Sequence, residues 1–303
     1  MNENQILSRI PKEETNLFPE VILIDNVSYC NLKCSMCSHR NLKRKQGFMN
    51  IDLYKKLVDE VAQKRPESRI WVTFYGEGLI MKELDERIKY AKNKGCKDVV
   101  LNSNGTLLNY ENSKKLVLSG LDALYVGVDA FTQDVYKNLR VGGNLDTTVE
   151  GVLSYKKALD EYGDGNQKLF VQFVVMDSNQ HQLDDFLTFW NDHGINVKVR
   201  PKVSWAGKVE ANNLKKGLDR MPCFWLMNTI SITDVGQIPH CTCDLDCDVS
   251  YGDANVSSIE EIWNGSLRQL RKYQYNCEWD KLTKTCSECL DWQSAYSEYH
   301  LNG

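Results

Sequence analysis

Two hydrophobic periods alternate through the first two thirds of the chain. Short apolar runs rich in β-branched residues, such as residues 21–26 and 169–176, are typical of buried strands. Between these runs, apolar residues return every three to four positions, as Leu53, Leu57 and Val61 do, which predicts amphipathic helices. The pattern therefore predicts that strands and helices alternate along this part of the chain.

The pattern predicts six strands and the helices that connect them. The strands are expected at residues 21–26, 69–75, 98–102, 123–129, 169–176 and 196–203. Helices are expected at residues 51–61, around 84–91, and at 112–118, 147–160 and 183–191. This order implies right-handed βαβ units and a parallel sheet. Since a closed barrel needs eight units, we expect an α/β fold with an open, partial (β/α)6 TIM-like barrel.

Three segments are expected along the chain. Residues 1–20 are polar, contain two prolines and are predicted to form an N-terminal arm; residues 21–210 form the partial barrel. The alternation then stops, and residues 221–303 hold seven of the eleven cysteines. A small cysteine-rich region often needs a metal to hold it together, so we expect a metal-binding extension there.

Composition narrows the class of protein. The net charge of −4 argues against a general nucleic-acid binder, which would carry a basic surplus. We find neither a secretion signal nor an apolar run of about 18 residues, so we expect a cytoplasmic protein without membrane contact. Thiols stay reduced in that compartment, and metal ligation is then a better explanation of the cysteines than disulfides.

Cys30, Cys34 and Cys37 form the most informative motif. Their spacings of four and three residues allow one loop to wrap three thiolates around a metal centre. Soft thiolates select zinc, copper(I) or iron–sulfur clusters. A tetrahedral zinc site needs a fourth protein ligand, and His39 does not complete one at a typical spacing. Three thiolates on a [4Fe-4S] cube leave one iron open to a ligand other than protein.

This arrangement resembles the radical S-adenosylmethionine (SAM) enzymes. The resemblance implies a [4Fe-4S] cluster, bound SAM, a 5′-deoxyadenosyl radical that abstracts hydrogen from a substrate C–H bond, and an electron donor such as flavodoxin or ferredoxin. It also assigns SAM contacts to residues at the strand ends: Gly76 and Glu77 at the amino group, Ser103, Asp129 and Arg140 at the ribose and carboxylate, and Met36 against the adenine. Ser103 as a turn cap and Arg140 as a helix-end cation remain alternatives.

The later cysteines resemble the SPASM/twitch extension of the same superfamily. Twelve residues, a glycine and four more residues separate Cys223 from Cys241, and Cys286 and Cys289 form a C-x2-C pair. The resemblance implies that these four cysteines bind one auxiliary [4Fe-4S] cluster. Further cysteines after Cys289, as in a full SPASM domain, are not found, so the twitch form is expected. A structural zinc site with four thiolates is the alternative.

The reaction stays open at this stage. The single auxiliary cluster resembles the aminocyclitol dehydrogenase group of butirosin biosynthesis, which implies oxidation of an alcohol on a small sugar-like substrate. Cys243 or Cys247 as a hydrogen donor would instead give an epimerase. Peptide modification and a non-enzymatic cluster scaffold are further alternatives, although the short N-terminal arm offers no peptide-recognition domain. Arg200, Lys202 and Trp205 either face the cavity, where they suit an anionic or sugar group, or form a solvated strand end.

Overall fold

Seven parallel strands form the centre of the computed structural model, which describes residues 17–297. The strands are β1 (Val21–Ile24), β2 (Arg69–Trp71), β3 (Asp98–Ser103), β4 (Ala123–Gly127), β5 (Lys168–Val175), β6 (Asn196–Pro201) and β7 (Thr229–Ile232). Their order in the sheet is β6-β5-β4-β3-β2-β1-β7. All six predicted strands are present, and the α/β partial barrel is confirmed. Most of the expected N-terminal arm, residues 1–16, lies outside the described residues.

Helices connect the first six strands. They are α1 (Ile51–Lys64), α2 (Leu84–Asn93), α3 (Tyr110–Leu118), α4 (Gln133–Leu139), α5 (Leu145–Tyr162) and α6 (Leu183–Asp192). Asn50 begins α1 because its side chain accepts a hydrogen bond from the backbone of Asp52. Asn144 does the same for α5 through Thr147. At both helices, the start of the apolar period in the sequence therefore follows an asparagine that caps the helix.

One face of the sheet packs against these helices. Leu101, Leu124 and Phe173 alternate along their strands and lie in one buried core with Leu57 and Ile88 of the helices. The opposite face is the concave interior of the partial barrel. Trp71, Tyr125 and Phe170 fill its floor, with the Tyr125 and Phe170 rings stacked 4.8 Å apart. The period of two in each strand thus separates the core from the interior.

The strand β7 was not among the predicted strands. It pairs in parallel with β1 over four residues, from Val21 opposite Thr229 to Ile24 opposite Ile232. The pairing brings the segment after residue 221 into the main sheet. A four-residue strand carries too little periodic signal to be recognised by pattern alone. The predicted division of the chain between residues 210 and 221 stays a prediction. The strand β7 lies after that division, yet it belongs to the main sheet and contributes Ile230 and Ile232 to the main core.

The rest of the C-terminal region consists of short elements. They are α7 (Phe224–Asn228), the antiparallel pair β8 (Gln237–Pro239) and β9 (Ser250–Asp253), α8 (Ile259–Asn264), α9 (Ser266–Tyr275) and α10 (Lys284–Glu288). Ser258 and Glu261 form a capping box at the start of α8. Among residues 17–297, every helix is too short or too polar to cross a membrane.

A buried ion-pair cluster ties the cysteine loop to the C-terminal region. Arg44 forms ion pairs with Asp25, which follows β1, and with Asp234, which follows β7. Its Nε donates to the carbonyl of Leu245 at 2.7 Å, and its backbone N–H donates to Asp246. Because one guanidinium serves two buried carboxylates, burial and the second negative charge raise the pKa of Asp25 to about 7.

Candidate active site and cysteine clusters

A cavity of about 290 Å³ lies at the carboxyl ends of the strands. Parallel α/β proteins bind ligands at this end, since the loops that follow the strands converge there. Cys30, Cys34 and Cys37 all line the cavity, and none of them is in a disulfide. The loop that carries them is anchored opposite the end of α4, where Ser35 N donates to Leu139 O at 2.8 Å. The structure therefore brings the predicted triplet together at the predicted end of the sheet.

Two thiols of this loop, those of Cys30 and Cys37, are protonated without a metal. Burial raises the pKa of Cys30 to about 11 and that of Cys37 to about 12. A bound metal would displace these protons and offset the cost of burying thiolates. Three soft donors in one partly buried cavity match the ligand set of an iron–sulfur cluster.

Gly76 and Glu77 are held against the cysteine loop. Glu77 N donates to Tyr29 O at 2.8 Å. A Cβ on Gly76 would lie 2.1 Å from Val27 O and 2.6 Å from Tyr29 O, so only glycine fits here. The two backbones approach so closely that the Glu77 carboxylate is placed next to the cysteines.

The Glu77 carboxylate is 2% exposed and accepts three hydrogen bonds from neutral groups. The donors are Ser103 Oγ at 2.8 Å, Asn104 N at 2.6 Å and Leu79 N at 3.1 Å. None of the cationic side chains within the described part of the chain forms an ion pair with it. Burial raises the pKa of Glu77. A buried carboxylate with this surrounding suits an ammonium partner, and SAM carries one.

Ser103 has two roles in this structure. Its hydroxyl donates to Glu77 and accepts from Gly105 N at 3.0 Å, which makes it both a support for Glu77 and a turn cap. Asn104 lines the cavity, and its Nδ2 donates to Asn31 Oδ1 at 2.8 Å.

Asp129 and Arg140 form a buried pair at the end of β4. Arg140 Nε donates to Asp129 Oδ2 at 2.8 Å, and its Nη1 lies 3.8 Å from Cys34 Sγ. Asp129 adopts a left-handed backbone with φ of 62°, and its Oδ1 accepts from Val174 N at 2.7 Å. Strained backbone of this kind persists where the surroundings fix it. The pair places a guanidinium beside the cysteine loop, and Arg140 also caps the C-terminal end of α4.

Met36 lies in a small apolar cluster beneath the cysteine loop, together with Leu32 and Met176. Its carbonyl accepts from Trp205 Nε1 at 2.9 Å. The Trp205 ring lies 6.1 Å from that of Phe74, and both line the cavity. One wall of the cavity is therefore aromatic, and Met36 supports it.

The four predicted auxiliary ligands also come together. Cys223 lies close enough to Cys286 and Cys241 to interact electrostatically with both thiols. Cys289 interacts in the same way with Cys223 and Cys241. N–H groups point at these sulfurs: Gln274 Nε2 at 3.4 Å from Cys286, Asp291 N at 3.3 Å from Cys289, and Cys243 N at 3.4 Å from Cys241. Such donors stabilise thiolates and tune iron–sulfur clusters.

The remaining cysteines differ in position. Cys243 lines the cavity, and its thiol lies 3.7 Å from Asp291 Oδ2. Cys247 is half-buried and is not part of the cavity wall. Cys277 is exposed, and Cys96 is buried in the main core.

The comparison with known families decides the class of protein. Residues 27–187, which include the three-cysteine loop and four of the seven strands, match the family model of the Radical SAM superfamily. The chain belongs to the radical SAM superfamily. Its members use a [4Fe-4S] cluster and SAM, and the donors at the cavity fit both groups.

Curated relatives match about half of their own length. A probable GTP 3′,8-cyclase of Methanococcus maripaludis is 30% identical over 171 residues, which cover 56% of this chain and 54% of that protein. A tungsten-containing aldehyde ferredoxin oxidoreductase cofactor-modifying protein of Pyrococcus furiosus is 27% identical over 181 residues, covering 59% and 50%. These radical SAM relatives therefore share about half of this chain.

Solved radical SAM structures match the fold over most of the chain. BtrN in complex with AdoMet and 2-DOIA superposes with a TM-score of 0.62 at 19% identity, covering 89% of this chain and 92% of BtrN. SuiB of Streptococcus suis bound to its precursor peptide SuiA gives a TM-score of 0.71 at 12% identity, covering 96% and 74%. At these identities the likeness concerns the fold.

No single-ion arrangement of three or more His, Cys, Asp or Glu side chains occurs among residues 17–297. Tetrahedral zinc holds its four ligands within about 2.0–2.3 Å of one point.

Sequence reasoning missed two residues that line the cavity. Gln172 faces the interior, but its strand was recognised by its apolar members alone. Its inward alternation with Val171 was the available signal. Asp291 also lines the cavity, and nothing in its sequence neighbourhood indicated this.

Proposed function

We propose that this radical SAM enzyme oxidises a secondary alcohol of a small polar substrate, a sugar or an aminocyclitol, to a ketone. One relationship carries the proposal: the cavity lies between the two cysteine sets. The first set lines it directly, and on the other side Cys243 and Asp291, which also line it, are hydrogen-bonded to sulfurs of the second set. An electron could therefore leave a substrate in this cavity towards an auxiliary cluster over a short path.

The cofactors would be held by two ligand sets. The SAM-binding [4Fe-4S] cluster is assigned to Cys30, Cys34 and Cys37, and an auxiliary [4Fe-4S] cluster to Cys223, Cys241, Cys286 and Cys289. SAM bound at the first cluster, after one electron from flavodoxin or ferredoxin, supplies a 5′-deoxyadenosyl radical. Oxidation of the alcohol would require the substrate to lose a carbon-bound hydrogen atom, one electron and its hydroxyl proton as the C–O double bond forms; the groups held by the first and second ligand sets would take up the hydrogen atom and the electron.

The chain's own residues bind and orient SAM in this proposal. Glu77 accepts hydrogen bonds from the SAM ammonium, and Gly76 allows the backbone approach that positions it. Ser103 fixes the Glu77 carboxylate, and Arg140, oriented by Asp129, faces the SAM carboxylate or ribose. The Met36 side chain packs near the adenine.

The fold of BtrN supports a dehydrogenase that acts on a sugar or an aminocyclitol. The BtrN fold covers nearly the whole of both chains, whereas the cyclase relatives share about half of their length. The proposal therefore rests on Cys243 and Asp291, which line the cavity and donate backbone hydrogen bonds to sulfurs of the second cysteine set, where an electron acceptor is needed.

A radical epimerase is the second candidate, and one observation favours it. Cys243 lines the cavity, so its thiol is placed to return a hydrogen atom to a substrate radical. Cys247 is not part of the cavity wall. If a thiol donor acts here, Cys243 is the candidate.

Iron content and SAM cleavage test the cofactor assignment. The anaerobically reconstituted protein is expected to hold about eight irons per chain in two cubes, and each of Cys30→Ala and Cys223→Ala about four. Cys30→Ala should abolish 5′-deoxyadenosine formation by the reduced protein. The exposed Cys277→Ala is the matched control and should keep both iron and cleavage. SAM cleavage retained in Cys30→Ala would contradict the assignment.

Product mass separates the two candidate reactions. A dehydrogenase product lacks two hydrogens of the substrate, whereas an epimerase product has the same mass and gains one deuterium in heavy water. Cys243→Ala should stop deuterium incorporation if the thiol is the donor, and Cys247→Ala should not. An oxidised product that forms equally in both variants would favour the dehydrogenase.

A further inference from the structure

Arg200 is a cavity cation that lacks a carboxylate partner. It lies on the inward face of β6, half-buried, and lines the cavity. Its Nη1 donates to Gln172 Oε1 at 2.9 Å, and Gln172 Nε2 donates to Asn102 Oδ1 at 2.8 Å. This chain of side-chain amides orients the guanidinium while using one of its five N–H donors. Within residues 17–297, no carboxylate forms an ion pair with Arg200.

The carboxylates of the cavity are already engaged. Glu77 accepts from Ser103, Asn104 and Leu79. The other two that line the cavity are Asp129, which is paired with Arg140, and Asp291, which accepts the backbone N–H groups of residues 204 and 206. Each therefore has partners of its own, and none of them forms an ion pair with Arg200, although Asp129 lies close enough to offset part of its charge.

A second cation lies two residues further along the same strand end. Lys202 lines the cavity and is half-buried. Burial lowers the pKa of Arg200, which is the direction expected for a cation that lacks a close counter-charge. Leaving such a charge buried and unpaired is costly, and an anionic ligand offsets that cost.

The guanidinium geometry points to the kind of ligand. Its planar fork matches the two oxygens of a carboxylate or a phosphate, and a bidentate pair adds orientation as well as affinity. The Trp205 and Phe74 rings line the same cavity, where an apolar face of a sugar ring can pack. The cavity therefore offers an oxyanion site beside a flat aromatic surface.

We propose that Arg200, assisted by Lys202, binds an anionic group of the substrate, so that the substrate is an acidic sugar or polyol rather than a cationic aminocyclitol. The inference rests on the proposed function only in placing the substrate in this cavity. The anionic group is a phosphate or a carboxylate, because both match the fork. Arg200 thereby becomes a residue that determines specificity.

Binding of simple anions to the SAM-loaded holoenzyme tests the inference. Inorganic phosphate and acetate are titrated by calorimetry into wild type, Arg200→Gln, Arg200→Lys and the control Arg69→Gln. Arg69 forms an ion pair with Asp98 at the start of β2, so its replacement makes the same charge change at the opposite end of the barrel. SAM is kept saturating so that its own carboxylate site is filled. The tighter of the two anions identifies the phosphate or carboxylate source.

We expect wild type and Arg69→Gln to bind one of the anions alike. Arg200→Gln should weaken that binding by about tenfold or more, since hydrogen bonds to charged groups are the strong ones. Arg200→Lys should fall between them, because it keeps the charge and loses the fork. If Arg200→Gln loses its iron or fails to fold, anion binding by Arg200→Lys tests the inference in its place.

Two results would overturn the inference: binding that is unaffected by either Arg200 substitution, and the absence of phosphate and acetate binding by wild type. Formation of 5′-deoxyadenosine by wild type is measured in parallel. If wild type fails to cleave SAM, the proposed function fails whatever the anion titration shows. If wild type cleaves SAM but anion binding does not depend on Arg200, the inference about the substrate is wrong and the proposed function is unaffected.

Discussion

Gly127 lies directly against the guanidinium of Arg140. A Cβ on Gly127 would be 2.0 Å from Arg140 Nη2 and 2.8 Å from its Cζ. The guanidinium reaches Asp129 and the vicinity of Cys34 across the space that a side chain at position 127 would occupy. The absence of a side chain at Gly127 on β4 thus allows the positive charge of Arg140 to lie at the cysteine loop.

Gly127→Ala is expected to displace Arg140 and weaken SAM binding. We expect the dissociation constant for SAM to rise about tenfold or more, and the stability to fall by about 1–3 kcal/mol through overpacking. Calorimetry with SAM and a denaturant titration measure the two effects.

Gly165→Ala is the control, because its added methyl contacts nothing although its φ of 85° imposes strain. It should lose stability and keep the SAM affinity. Equal SAM affinity in Gly127→Ala and wild type would show that Arg140 does not contact SAM.

Glu77→Gln is expected to separate SAM binding from cluster loading. The amide keeps one acceptor but loses the negative charge, so affinity for the SAM ammonium should fall by about 10- to 100-fold. Iron content should stay at the wild-type level, since Glu77 is not a cluster ligand. Glu83→Gln, at an exposed position, is the matched control. A loss of iron in Glu77→Gln would show a structural role instead.

Asp291→Asn is expected to loosen the segment that carries Trp205. Asp291 Oδ1 accepts from Ser204 N at 2.5 Å and Oδ2 from Ala206 N at 2.7 Å, and an amide can serve only one of them. Trp205 and Ala206 have left-handed φ values of 53° and 55°, which this double contact maintains.

Limited trypsin digestion measures the effect. Cleavage after Lys202 or Lys208, which flank the segment, should become several-fold faster in Asp291→Asn because local opening becomes more frequent. Asp280→Asn, at an exposed site, should digest like wild type. Identical digestion of the two variants would show that the segment is held by other contacts.

Asp25→Asn is expected to change how stability depends on pH. The pKa of Asp25 is raised from 3.8 to about 7 by burial and by Asp234. The native state therefore holds a proton that the unfolded chain has released. Between about pH 4 and 7 this group makes wild type lose stability as pH rises, by at most about 1.4 kcal/mol per pH unit.

The variant has no titrating group at this position. The difference in unfolding free energy between wild type and Asp25→Asn should shift in favour of the variant as pH rises from about 5 to 7, and then level off. Denaturant titrations across this range measure it. Parallel curves would indicate that Asp25 is ionised throughout.

The sequence was most informative where chemistry or periodicity is local. The spacing of Cys30, Cys34 and Cys37 lies within one loop, and the apolar period of α1 within one helix, so neither depends on the rest of the fold. The strands were predicted for the same reason. Their ends were less certain: β2 ends at Trp71, although the apolar pattern continues to Tyr75.

What could not be predicted depends on pairings between distant segments. The position of β7 beside β1 joins residues about two hundred positions apart, and the Asp25–Arg44–Asp234 cluster follows from that pairing. Asp291 reaches the cavity because the C-terminal region folds back over it. For Arg200 the sequence left two alternatives open, a residue that faces the cavity and a solvated strand end. The hydrogen bond to Gln172 orients its guanidinium towards the cavity.

The pairing of β1 with β7 also bears on the order of folding. The strand that leads into the first cysteine loop is synthesised some two hundred residues before β7, one of its two neighbours in the sheet. Until then β1 has an open parallel edge, which is a site for aggregation. Insertion of the first cluster during translation would therefore meet an incomplete barrel. Heterologous expression should gain more from slow synthesis at low temperature than from a longer reconstitution afterwards.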